Sequence, residues 1–166
     1  MKNKLLVVYN TCGFSGREHV DWYIDCINNL LDQDFEDFKL VISSCGNRMP
    51  IIKKLISTFK NRVSYNFIND RITVNQSFNH TVRKCVEEYG EFEGYLYIDS
   101  GINVRDNKKV LSEAYELFKS DNYGMLTIQA SNDNGFKQWI DVDEYVTEEN
   151  FIVPIGRACN LHTQIF

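Results

Sequence analysis

In this 166-residue chain the side chains able to do chemistry gather just after apolar runs. Asp99-Ser100-Gly101 follows Tyr95-Leu96-Tyr97-Ile98. A carboxylate there either caps the next turn or faces a ligand crevice, where its oxygens suit a hard cation or a hydroxyl donor. Asn10-Thr11-Cys12-Gly13 follows Leu5–Tyr9, and Ser43-Ser44-Cys45-Gly46 follows Leu40-Val41-Ile42. Their amides and hydroxyls can contact a polar ligand, and they also have turn-forming habits of their own. Asn79 is a polar residue near a helix start. Farther on, Asp141, Asp143 and Glu144 form an acidic run that is either a solvated face or the source of a general base or metal ligand. His19, His80 and His162 are widely separated, which favours surface or hydrogen-bonded roles over metal ligation. The five cysteines, Cys12, Cys26, Cys45, Cys85 and Cys159, include no CxxC pair. They read as free thiols in a reducing compartment, mostly small core residues, and the expected location is the cytoplasm, with peripheral membrane association compatible.

Several chemistries are disfavoured. No GxGxxG follows the first apolar run and no GxxxxGK[ST] occurs, so dinucleotide and P-loop sites lack their phosphate cradle. No serine sits in a GxSxG elbow. Eighteen Lys and Arg against 23 Asp and Glu give a net charge of −5 without a dense basic run, which argues against a nucleic-acid partner. With 43% apolar residues and two prolines the chain reads as globular. Its longest early apolar run, Leu5 to Tyr9, is too short for a signal peptide or a transmembrane span.

The elements that must position these residues alternate between strand length and helical period, the pattern of a parallel sheet covered by helices. Lys4–Tyr9 reads as a strand, followed by a loop over Asn10–Gly16 and a helix carrying Val20, Tyr23, Ile24, Ile27, Leu30 and Leu31. Phe38–Ser43 is a second strand ending in a turn. Pro50 suits the first turn of a helix with a stripe of Ile51, Ile52, Leu55, Ile56 and Phe59. Val63–Ile68 is a third strand. Phe78, Val82, Cys85, Val86 and Tyr89 mark a helix for which Ser77 is a candidate cap. Gly94–Ile98 is a fourth strand, running into Asp99. Asp106 is a candidate cap for a helix with Val110, Leu111, Ala114, Leu117 and Phe118, and Tyr123–Ile128 is a fifth strand. Ser131–Gly135 reads as a loop, Trp139–Tyr145 is ambiguous, and Phe151–Pro154 suits a short strand. The fold class expected is three-layer α/β/α with a mainly parallel twisted sheet, one domain over residues 1–166.

The order of these features resembles the nucleotide-sugar-binding part of a GT-A glycosyltransferase of the family 2 type, over about residues 4 to 130. Ile27-Asn28-Asn29-Leu30-Leu31-Asp32-Gln33 is similar to the family's "SLLxQ" helix end. Val41-Ile42-Ser43-Ser44-Cys45-Gly46-Asn47 stands where a "VDDGS" turn is usual. Asn79-His80-Thr81-Val82 is similar to an "N-x-G" helix start, and Tyr95–Gly101 takes the place of the strand ending in DxD. The resemblance implies transfer of a sugar from a nucleoside-diphosphate sugar to a saccharide or other hydroxyl acceptor, in bacterial or viral surface polysaccharide synthesis. It implies donor binding by Asn10, Thr11, Ser44, Asn79, Asp99 and Ser100, with Mn²⁺ or Mg²⁺ on the diphosphate offsetting charge on the leaving group.

Two positions depart from that pattern. Ser44 replaces the carboxylate expected to meet the base or ribose, and Gly101 replaces the second carboxylate of DxD. Asp99 is then the one protein metal ligand, so a cation is expected only together with bound nucleotide; Asn103 is near enough in sequence to add an oxygen. Asp141 and Asp143 are the candidates for the base. These transferases usually continue into an acceptor-binding part, so the expectation is that this part is short or missing here. The alternative is a degenerate, non-catalytic domain that binds nucleotide, glycan or a protein partner. Because parallel strands bring their carboxyl ends to one edge, Asn10, Ser44, Asn79 and Asp99 are expected to converge on a single crevice.

Overall fold

The computed structural model describes residues 4–12, 20–46, 49–70, 72–99, 103–104, 107–120, 126–127, 144–148, 151–155 and 163–165. The described elements run β1 (Leu5–Cys12), α1 (Val20–Leu31), β2 (Phe38–Cys45), α2 (Met49–Phe59), a 3-10 turn (Lys60–Arg62), β3 (Ser64–Ile68), α3 (Val74–Tyr89), β4 (Gly94–Asp99), α4 (Val110–Ser120), β5 (Leu126–Thr127), β6 (Glu144–Glu148), β7 (Phe151–Ile155) and β8 (Thr163–Ile165). The main sheet has the order β3-β2-β1-β4-β8-β5. β3, β2, β1 and β4 pair in parallel, and β8 runs antiparallel between β4 and β5. β6 and β7 form a separate antiparallel pair.

Strand alternation divides the core in two. Leu5, Val7 and Tyr9 of β1 pack with Leu40, Ile42, Leu96 and Ile98 under α1, α2 and α4. Leu6, Val8 and Val41 face the other way, against Cys85 and Phe92, with Phe78, Val82 and Val86 of α3 packed on them. The sheet therefore carries helices on both faces, as the alternation of periods requires. β1 is buried on both sides, and each fully buried Leu or Val contributes about 1.5–3 kcal/mol, which makes this central strand the rigid base of the edge described below.

Three of the parallel strands outrun their sequence-based limits, and most of the extra residues are polar. β1 continues through Asn10, Thr11 and Cys12 because these pair with Ser43, Ser44 and Cys45 of β2. β4 likewise takes in Asp99, opposite Asn10. The loop expected from Asn10 and the turn expected from Ser44 thus begin later, and β2 is followed by Gly46 at φ +70, a left-handed conformation that suits glycine. Ser77 is not a cap. Thr73 caps α3, its hydroxyl accepting from Gln76 N while the Gln76 side chain accepts from Thr73 N, and Ser77 lies inside the helix.

The helical stripes are narrower than expected. Ile51, Leu55 and Phe59 of α2 are buried but Ile56 is exposed, and in α4 Leu111, Ala114 and Tyr115 are buried while Leu117 is exposed. Tyr89, on the last turn of α3, is also exposed. Ile56 and Leu117 fall off the i, i+4 rows that meet the sheet, whereas Tyr89 continues the Ser77–Thr81–Cys85 row and is exposed because it ends the helix. The expected fifth strand is described only over β5, the Phe151 strand extends to Ile155, and β6 takes in the end of the ambiguous 139–145 segment. The sequence reading did not anticipate β8. Asp106 lies outside the described residues. Cys26, Cys45 and Cys85 are buried free thiols. Among the described residues no helix is long and apolar enough to cross a membrane.

Candidate functional site

Register brings four polar residues into one transverse row at the carboxyl edge of the parallel strands. Asn66 of β3 pairs with Ser43 of β2, Ser43 with Asn10 of β1, and Asn10 with Asp99 of β4. Residues paired in this way project to the same face, here the α3 face, since Val8 and Val41, two positions back, pack against that helix. Asn66, Ser43 and Asn10 are 2%, 0% and 1% exposed, whereas Asp99 at the end of the row is partly open to solvent.

Helix α3 closes the row from above. Ser77 and Thr81 are one turn apart, both fully buried, and face the sheet. Ser43 Oγ lies 2.9 Å from Ser77 Oγ and 2.8 Å from Thr81 Oγ1. Ser77 Oγ donates to Asn10 Oδ1 at 3.2 Å, and Asn66 Nδ2 donates to Thr81 Oγ1 at 2.7 Å. Asn10 Nδ2 donates to the Tyr97 hydroxyl at 3.4 Å, which donates to Asp99 Oδ2 at 3.3 Å. The Tyr97 ring is held edge-on by Phe78, with centroids 5.6 Å apart. At the opposite end, Asn66 Nδ2 lies 3.1 Å from Nδ1 of the exposed His80. Each buried polar group thereby gains a partner, as burial demands.

The other face of the same edge is polar too. Thr11 and Ser44 pair one position beyond the Asn10–Ser43 level, are fully buried, and Thr11 Oγ1 donates to Ser43 O at 3.1 Å. Burial pushes the Tyr9 phenol on this face well above its ordinary value, with the Cys26 thiol and, less strongly, Asp99 adding to the shift.

Of the residues singled out in the sequence, Asn10 and Asp99 therefore share one row, and Thr11 and Ser44 lie one level beyond them at the same edge. Asn79 does not join them. It is exposed, two residues from both Ser77 and Thr81 and so on another side of α3. Ser100, Asp141 and Asp143 lie outside the described residues, as do His19 and His162. Asn103 is committed elsewhere: its Nδ2 donates to Asp25 Oδ2 at 2.7 Å and its Oδ1 accepts from Asn29 Nδ2 at 2.9 Å, which pins the segment after β4 to α1. The sequence reading missed Asn66, Ser77 and Thr81 as members of this cluster. The signal was present as a serine and a threonine at i and i+4 on the otherwise apolar face of α3.

Asp99 is the only carboxylate of the row, and among the described residues no three His, Cys, Asp or Glu side chains group as a metal site. The donor set does not make a self-sufficient metal centre. One half-open carboxylate at the end of a preorganised polar row fits a cation only if other oxygens accompany it.

No protein-family model matches the chain, and no curated protein matches it in sequence. Solved structures do match in shape. The mannosyltransferase PcManGT from Pyrobaculum calidifontis, in complex with GDP-Man and Mn²⁺, aligns with a TM-score of 0.60 at 11% identity, over 80% of this chain and 36% of that one. S. aureus TarS 1-349 aligns with a TM-score of 0.60 at 19% identity, over 97% of this chain and 46% of that one. The chain thus spans less than half the length of either. At these identities the likeness shows the fold: an α/β sheet of the GT-A, nucleotide-diphospho-sugar transferase type.

Proposed function

We propose that the carboxyl edge of this sheet binds a nucleoside-diphosphate sugar and that the protein transfers the sugar to an acceptor hydroxyl. The observation carrying this reading is the polar row ending in half-open Asp99, at the edge where open α/β sheets take ligands. The GT-A fold supports it, and so does the GDP-Man and Mn²⁺ complex of one structural neighbour. Asp99 would meet a divalent cation jointly with diphosphate oxygens, because the row offers one carboxylate. The chemistry such a cation supplies is charge compensation on the departing diphosphate. Asn10 and Ser44 shape the edge from beneath. Asp141 and Asp143 remain the candidates for the base that activates the acceptor, a saccharide or other hydroxyl compound, and the proposed setting is surface polysaccharide synthesis.

A second reading, binding without turnover, draws on the same single carboxylate. One screen separates these possibilities. Thermal shift against UDP-, GDP-, dTDP- and CMP-sugars, with and without Mn²⁺, should single out one base. A ligand at 100 times its Kd stabilises by about 2.7 kcal/mol. Release of nucleoside diphosphate on adding saccharide acceptors then marks the enzyme, and its absence beside a clear shift marks the binding module. No shift with any donor would refute nucleotide-sugar binding itself.

A further inference from the structure

The hydrogen bonds behind Asp99 have a direction that follows from counting protons. Ser77 Oγ gives its proton to Asn10 Oδ1. It has no second one, so across the 2.9 Å contact with Ser43 it accepts and Ser43 donates. Ser43 in turn must accept at its 2.8 Å contact with Thr81. Thr81 shares one proton between Ser43 Oγ and the Ser77 carbonyl, 2.8 Å away. Beyond Asn10, its amide donates to the Tyr97 hydroxyl, and that hydroxyl donates to Asp99 Oδ2. Every link from Thr81 to Tyr97 therefore points towards Asp99, the arrangement in which successive hydrogen bonds polarise one another in one sense.

We propose that Tyr97 is the positioning residue for the Asp99 carboxylate, and that Asn10 and Ser77 hold its phenol in the donating orientation. The inference rests on the reading of Asp99 as the group that meets a diphosphate and its cation. Tyr97 is 5% exposed and its ring packs edge-on against Phe78, which fixes where the hydroxyl oxygen sits. The Tyr97 hydroxyl is one of the contacts that order the Asp99 side chain, and the ordering it supplies is not lost on each binding event. Tyr97 thus contacts one oxygen of Asp99, at the partly open end of the row.

The test uses the full chain with Tyr97→Phe, Asp99→Asn, the double variant and Ser77→Ala. Calorimetry with UDP and GDP, each with and without Mn²⁺, reads the gain that the metal brings. Tyr97→Phe should bind nucleotide as the wild type does without metal, yet lose about fivefold to tenfold of the Mn²⁺-dependent gain. Ser77→Ala, which leaves the aromatic ring untouched, should lose less in the same sense. The double variant should lose no more than Asp99→Asn. In parallel, a double-mutant cycle in urea should show Tyr97 and Asp99 coupled by about threefold to tenfold in the unfolding constant. A full Mn²⁺ gain in Tyr97→Phe, an equal loss with and without metal, or an additive cycle would each overturn the positioning role. If Asp99→Asn keeps the whole Mn²⁺ gain, or the wild type has none, the nucleotide reading of Asp99 fails instead. The urea cycle then decides alone whether Tyr97 positions Asp99.

Discussion

Replacing Asn10 by aspartate changes almost no volume and places a second carboxylate beside Asp99. Asn10 is 1% exposed and stands directly opposite Asp99 in the β1–β4 register. Neighbouring strands are about 4.8 Å apart, so two charges at about 5 Å repel by roughly 3 kcal/mol at an effective dielectric constant near 20. The variant also loses the amide proton given to Tyr97, worth about 1 kcal/mol, while Ser77 can still donate to the new oxygen. The expected cost at pH 7 is about 3–4 kcal/mol, a large share of the stability of an ordinary domain but not all of it. The sign with pH follows from linkage. Repulsion and burial raise the folded-state pKa of the introduced carboxyl above its unfolded value of about 3.9. The folded variant therefore holds its proton to higher pH than the unfolded chain does. The deficit is complete above the raised folded pKa and shrinks as pH falls towards the unfolded value. Urea titrations of variant and wild type at several pH values between 5 and 8 measure this directly. A deficit below about 1 kcal/mol at pH 7, or one of unchanged size across that range, would show that the two positions do not share a low-dielectric row.

Three further outcomes are expected. Thr73→Ala removes the capping box of α3 and should cost about 1 kcal/mol, with faster amide exchange in the first turn, through Ser77, and little change in α1. The Cys85 thiol is 4% exposed and pushed up to about 11, chiefly by burial with Glu88 adding to it. It should resist alkylation at pH 8 in the native protein and react once urea unfolds it; rapid native labelling would contradict its place on the sheet-facing side of α3. Gly101→Asp, which adds a carboxylate two residues from Asp99, should raise Mn²⁺ affinity of the nucleotide-free protein by about tenfold or more in calorimetry.

The alternation of strand and helix was legible because it is written in apolar residues, whose periods of 2 and 3.6 are set by backbone geometry. β1, β2, β4, α1 and α3 all follow from it. What the sequence concealed lay at strand ends. Asn10, Thr11 and Ser44 have the types of turn residues, and local preference alone puts them in loops. They are strand residues because each finds a ladder partner across the sheet, and such pairing links residues 33 positions apart, as Asn10 and Ser43 are. β8 was hidden for a related reason. It is three residues long, and its place between β4 and β5 is fixed by contacts with those strands rather than by its own pattern. Asp99 was recognisable as a strand-end carboxylate, but its surroundings were not, because Asn66 and Ser43, on other strands, carry no spacing that announces a common row.

Helix phase decides which residues of α3 belong to the site, and it overrides the motif-like Asn79-His80-Thr81 run. Thr73 starts the helix, and counting from it puts Ser77, Thr81 and Cys85 on one line, each buried, with Ser77 and Thr81 over the polar end of the sheet and Cys85 over the apolar part. The polar end of the helix line meets the polar end of the strands, so the change from core to site occurs at the same level on both. Burial of Asn10, Ser43 and Ser44 has a consequence for chemistry. With their hydrogen-bonding groups turned inward, a nucleotide at this edge would meet the partly exposed Asp99 before it met them. Substitutions at Ser43 or Asn10 should therefore act on ligand binding through the set of Asp99, with effects that vanish in an Asp99→Asn background, whereas a direct contact would keep its effect there.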